Sequence, residues 1–177
     1  QGGNILIMPL SVKIAGDGFV RLDGVIDNSL GSGGKFVGKI AASGKNLGEF
    51  FKSIELYWQN LKLESLTEYK LTSDILITPN EISFSNSYLN FSKDGSEFLG
   101  DLHIRNSDKN LDFVGNFRAN RFDVDSYFFT AGSNIYLAPG SLLKKLLWLN
   151  NLSMSGKFKI KFDALVYNKE IFKDQET

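Results

Sequence analysis

Along most of the chain, apolar residues fall on alternate positions with polar residues between them, as in strands with one apolar face. Leu6, Met8, Leu10, Val12 and Ile14 mark a first strand over Ile5 to Ile14. An Asp17-Gly18 turn leads to a second over Phe19 to Ile26. Gly31-Ser32-Gly33-Gly34 is a flexible connection to a third, opening at Phe36. Leu71 to Ile77 alternates cleanly, Pro79-Asn80 predicts a turn, and Ile82 to Phe91 returns as a strand. Its phase slips between Phe84 and Leu89, which predicts a bulge over Asn86 to Tyr88. A last strand is predicted over Ser155 to Tyr167. Lys157, Lys159 and Lys161 lie on one of its faces, and Phe158, Ile160, Phe162, Ala164 and Val166 on the other. Lysines so placed also keep an exposed edge from pairing. Glu55 to Ser65 fits either period.

Three short helices interrupt the strands. Asn46 caps one running to about Ile54, with Leu47, Phe50, Phe51 and Ile54 on one face. Asp123 caps a second through about Phe129. After Pro139-Gly140, Ser141 caps a third over Leu142 to Leu149, apolar around most of its circumference. That helix fits a plug at the end of a sheet, or one that docks a partner or touches a membrane.

A phrase built on Phe, Gly and a bulky residue recurs at Phe36-Val37-Gly38-Lys39-Ile40, Phe98-Leu99-Gly100-Asp101-Leu102 and Phe113-Val114-Gly115-Asn116-Phe117. It returns more loosely from Phe158 to Ala164. The copies at Phe36 and Phe113 stay in step beyond the strand, where Asn46, Leu47, Phe50 and Phe51 answer Asp123, Val124, Tyr127 and Phe128. A strand followed by a capped helix has been used twice, which points to an extended, sheet-built architecture. The hairpin from Phe98 to Ala119 can be registered in advance. A loop centred on Asp108-Lys109 sets Ile104 opposite Phe113, Leu102 opposite Gly115, Gly100 opposite Phe117 and Phe98 opposite Ala119. In three of the four pairs a large residue then meets a small one, a fit that a one-residue slip destroys.

Composition narrows the function. Twenty basic residues balance twenty acidic ones among 177, with no basic stripe, which argues against a nucleic-acid role. Cysteine is absent and His103 is the one histidine, so neither a thiolate metal site nor a zinc or serine triad can be assembled. His103 falls on the polar side of its strand, with Asp101 and Arg105. Asp123 and Asp125 read as a helix cap and a first-turn acid. Gly31 to Lys35 lacks the spacing of a phosphate loop and opens a strand instead of a helix. We expect no enzyme and no cofactor. No apolar run reaches the ~18 residues of a membrane span. The chain opens on Gln1 and ends in the polar run Lys173 to Thr177, which points to a segment excised from something longer.

The stretch Leu111-Asp112-Phe113-Val114-Gly115-Asn116-Phe117-Arg118-Ala119-Asn120-Arg121-Phe122-Asp123-Val124-Asp125-Ser126-Tyr127-Phe128 resembles a hallmark of the AsmA family, in which an alternating strand ends in Ala-x-x-Ile/Phe-Asp-Leu-Asp-x-Tyr-Leu. Leu71 to Ile104 resembles the family's preceding strands. Lys35 to Ile54 is similar to its strand, capping and helix unit, and Ser155 to Tyr167 to the strand that follows. The resemblance spans about Gly34 to Tyr167. It departs from the pattern in Asn46, where Asp is more usual, in the slip near Asn86, and in lacking an N-terminal membrane anchor.

The resemblance implies a periplasmic segment tethered to the inner membrane by a part of the protein outside this chain. It implies a sheet curled into a half-pipe that carries phospholipid between membranes or supports outer-membrane assembly. The expected fold is β-dominated α+β: one domain with a curved, mainly antiparallel sheet and about three short helices at its edge or mouth. The expected partners are phospholipid acyl chains, with membrane or envelope-protein contact. Phe98, Leu102, Ile104, Phe113, Phe117, Phe158, Ile160 and Phe162 are the candidates for an apolar groove, with Gly100 and Gly115 leaving room between the aromatics. The same alternation also serves a barrel or sandwich filled by its own side chains, a structural or protein-binding module without ligand.

Overall fold

The computed structural model describes residues 4–27, 34–54, 57–58, 61–107, 110–128, 137–138 and 153–173. Its centre is an open eight-stranded sheet. β1 (Asn4–Ile14), β2 (Gly18–Asp27), β3 (Lys35–Gly44), β5 (Tyr69–Ile77), β6 (Glu81–Phe91), β7 (Ser96–Ser107) and β8 (Asn110–Ala119) run antiparallel in that spatial order, and β11 (Ser153–Phe162) joins β8 in parallel. Between β3 and β5 lie α1 (Leu47–Ser53), β4 (Tyr57–Trp58) and a 3₁₀ turn at Leu63–Ser65. β9 (Phe122–Asp123) and α2 (Val124–Tyr127) follow β8. β10 (Leu137–Ala138) pairs with β4, and β12 (Ala164–Tyr167) and β13 (Glu170–Lys173) form a hairpin that meets β9.

Local chemistry explains these boundaries. Asn46 is extended at φ −149° and its side chain accepts the Glu49 amide at 3.0 Å; Asp123 does the same for Ser126 at 3.1 Å. The two caps are the repeat made visible, although α2 is a single turn and stops at Tyr127. The third expected helix, Leu142 to Leu149, lies outside the described residues, as do the Gly31 to Gly33 connection and the Asp108-Lys109 loop. The β7–β8 register is the one that the large-against-small pairing predicts at all four positions. The bulge also falls where expected. Pairing shifts between Phe84 and Ser87 on one side and between Thr72 and Asp74 on the other, with Asn86 at φ +52°, a conformation that Asn tolerates.

The final strand differs from expectation. Ser155 to Tyr167 is not one strand: β11 ends at Phe162 and β12 belongs to a different sheet. At the break, the Asp163 amide donates to the Ala119 carbonyl at 2.9 Å and the Ala164 amide to Asn120 at 3.1 Å. Arg118 grips the Asp163 carboxylate through Nε at 3.0 Å and a terminal nitrogen at 3.2 Å. The chain therefore turns off the end of β8 and crosses to β9.

The strand pairings stack apolar positions into cross-strand rows. One runs from Leu10 through Leu22 and Ile40 to Ser73, and resumes beyond the bulge with Ser87, Gly100, Phe117 and Ile160. The row beside it joins Ile7 through Gly24, Gly38, Ile75, Phe84, Leu102 and Gly115 to Phe158. One face of the whole sheet is thus apolar. The other carries ion pairs such as Lys35 with Asp27 at 3.6 Å and Arg105 with Glu81 at 3.6 Å.

Candidate functional site: an apolar sheet face closed at one end

Among the described residues, cover over the apolar face lies at one end. There α1, the 3₁₀ turn, β9 and α2 lie over Tyr69 and Phe91, forming a core of Leu61, Leu66, Tyr69, Phe91 and Tyr127. Phe122 organises it: its ring stacks on Tyr127 with centroids 5.4 Å apart and on Phe162 at 5.8 Å, and meets Phe98 edge-on at 5.6 Å. The two capped units are tied together across this plug. The Lys62 amide donates to the Tyr127 carbonyl at 2.7 Å, and Lys62 Nζ to the Asp125 carbonyl at 2.7 Å. Tyr127 is 2% exposed and its hydroxyl donates to Asp94 at 2.9 Å. Burial, followed by that hydrogen bond, raises its phenol well above the ordinary value.

Beyond the plug the face is open to a pocket of about 370 Å³, within the range of small-molecule sites. It extends from Leu71 and Ser73 on β5, across Phe84, Ser87 and Leu89 on β6, to Ile160 on β11. The hollow exists because the bulge brings two small residues together in an otherwise apolar floor. Ser73 Oγ lies 2.8 Å from Ser87 Oγ, 2.9 Å from the Asp74 carbonyl and 3.1 Å from that of Ser85. Each hydroxyl has one proton. With Ser87 donating to Ser73 and Ser73 to a carbonyl, both are used within the sheet. The pocket therefore sees mostly carbon, and suits a hydrocarbon guest.

The eight residues proposed from sequence all fall on this face, but they divide. Phe98, Leu102, Phe117 and Ile160 line the pocket. Ile104 and Phe113 pair with each other one row further out, and Phe158 is exposed on the edge strand. Phe162 belongs to the plug through its stacking on Phe122, and Phe98 serves both regions. Gly100 and Gly115 do not leave open room. A Cβ on Gly115 would stand 2.7 Å from the rings of both Phe117 and Phe158, and one on Gly100 2.7 Å from Phe117, so the rings lie down over the glycines. Phe36 covers Gly24 and Gly38 in the same way.

Sequence reasoning did not nominate Leu71, Ser73, Phe84, Ser87 or Leu89 for the site. The usable signal was the phase slip itself, because a slip places small polar residues on the apolar side. On the opposite face His103 is half-buried, with Nδ1 3.0 Å from Ser83 Oγ and 3.2 Å from Glu81 Oε1. Asp101 accepts the Asn86 amide at 2.9 Å and so holds the bulge. Among the described residues no cluster of His, Asp and Glu is arranged to hold a metal, and no helix is long and apolar enough to cross a membrane. Comparisons with protein-family models, curated proteins and solved structures return no match.

Proposed function

We propose that the uncovered part of the apolar face is a seat for phospholipid acyl chains, in a periplasmic segment of an AsmA-like envelope protein that carries lipid between membranes or supports outer-membrane assembly. The observation that carries this reading is the pocket. It is a carbon-lined hollow set in a continuous apolar floor, with the two hydroxyls inside it turned to each other and to backbone carbonyls. The resemblance of Leu111 to Phe128 to the AsmA hallmark supplies the biological setting.

An acyl chain laid on this floor gains about 0.8 kcal/mol for each methylene removed from water. No polar contact is needed along the way and no chemistry is required, so the reading is non-enzymatic. A sheet curled about this face would form the half-pipe, with inner-membrane tethering supplied outside this chain.

Native mass spectrometry after gentle purification, followed by solvent extraction and lipid identification, tests the proposal. Bound phospholipid that a fluorescent analogue displaces is the expected result. A clean apo mass with no analogue binding would support a self-filled structural or protein-interaction module instead.

A further inference from the structure

The pocket is not alike at its two ends. On β5 it stops inside the sheet at Leu71 and Ser73, whereas at the other end it reaches Ile160 on the edge strand β11. Four strand spacings separate these ends, about 19 Å. Ile160 is flanked in sequence by Lys159 and Lys161, with Lys157 one step further along the same polar face, and all three are exposed. Opposite them on β8 stand Val114, Asn116 and Arg118, so no carboxylate faces the lysines across the pair. Two acids stand near this end: Asp163 is held by Arg118, and Asp112, which pairs with Ser155 just before Lys157, accepts the Ser155 hydroxyl. Among the described residues, none of the three lysines makes an ion pair.

Edge protection alone does not account for this. The opposite edge, β1, is interrupted by Pro9 and a register shift between Ile7 and Leu10, and it carries one lysine, Lys13. Three successive cations stand on β11, about 6.6 Å apart along the strand, where the carbon-lined pocket meets the rim. A strand is thin, and lysine stems bend along apolar surface to bring the ammonium where it is needed. The edge strand thus carries the end of an apolar slot on one face and, on the other, three lysines that make no ion pair among the described residues.

We infer that the guest is an anionic phospholipid, its acyl chain lying across the strands from Ser73 to Ile160 and its phosphate held at the β11 rim by Lys157, Lys159 and Lys161. This rests on the acyl-chain reading proposed above. The charge attraction is exposed and is weakened by salt, while the hydrocarbon contact is not.

The test uses lysophosphatidylglycerol and lysophosphatidylcholine of identical acyl chain, both below their micelle concentrations, titrated against the chain by calorimetry. The expected result is about tenfold tighter binding of the anionic lipid at low salt, a preference that fades toward 0.5 M salt. K157Q/K159Q/K161Q should bring the two affinities together, and Ser73→Leu, which fills the slot, should abolish both. Circular dichroism establishes that each variant is folded. Equal affinities in the wild type, with both lost in Ser73→Leu, overturn the headgroup inference and leave the acyl-chain reading intact. Binding of neither lipid overturns both. Anionic binding that survives Ser73→Leu also overturns the inference, because the lysines would then be acting without the slot.

Discussion

The two ends of one apolar face have the same alternating sequence and different fates. At one end Leu89 and Phe98 lie under a plug in which Tyr127 is 2% exposed; at the other, Phe158 remains 58% exposed and Ile160 45%. Both ends are built from alternate bulky residues on neighbouring strands. The difference comes from what crosses over them. Two capped units, one from each copy of the repeat, converge on the covered end and knit through Lys62. Alternation decides which side of a sheet is apolar, and the connections decide which part of that side becomes core.

Breaking the covered end should have the largest effect. Tyr127→Ala removes a buried ring, its stacking on Phe122 and its bond to Asp94, and should cost about 3–5 kcal/mol in urea unfolding. The open end should respond in the opposite sense. Ile160→Asp, at a position already half-exposed on an edge strand, should leave the unfolding midpoint within a few tenths of a molar while reducing retained phospholipid at least about tenfold. Phe117→Asp should do likewise, provided its circular dichroism remains that of the wild type. Lipid retention at the wild-type level in either folded variant would remove that position from the seat.

Smaller substitutions sharpen the comparison. Asn46→Ala and Asp123→Ala each delete one cap of the plug and should each cost about 1 kcal/mol. A cost near zero for one of them would show that the two units do not share the load. On the polar face, the Glu81 carboxyl is held below its ordinary value, first by the Ser83 hydroxyl, which donates at 2.6 Å, and then by His103. A lowered pKa in the folded state favours folding above the unfolded value near 4.5, and that contribution is lost as pH falls through the folded value. Ser83→Ala should therefore flatten the acid limb of the stability profile, the smallest effect of the set. An unchanged limb would assign the acid response to other carboxylates.

Much of this fold is legible in the sequence. The β7–β8 register followed from Gly100 and Gly115 facing Phe117 and Leu102, since no neighbouring register matches small to large as well. The bulge followed from the slip after Phe84, and the caps from Asn46 and Asp123 standing ahead of apolar helical faces. The break at Asp163 was invisible because Phe162, Ala164 and Val166 continue the alternation in phase. What ends β11 is a set of bonds to Ala119, Asn120 and Arg118, residues distant in sequence. For the candidate site, the face was readable and its division was not. Periodicity places Phe162 beside Ile160 but does not reveal that Phe122 will stack on the first while the second stays half-exposed among the described residues.

The parallel seat of β11 beside β8 also has a kinetic side. β7 meets β8 through a tight hairpin that pairs Ser107 with Asn110, whereas β11 meets β8 by pairing Ser153 with that same Asn110 across a much longer separation along the chain. Closing the longer separation costs more entropy before any contact is returned, so sequence-distant pairings form late. The antiparallel meander from β1 to β8 can therefore assemble from neighbours, with β11 docking afterwards. Because Ile160 arrives with β11, the hollow gains its outer wall in that closing step, and the amides of β11 should be the first of the long strands to exchange with solvent deuterium.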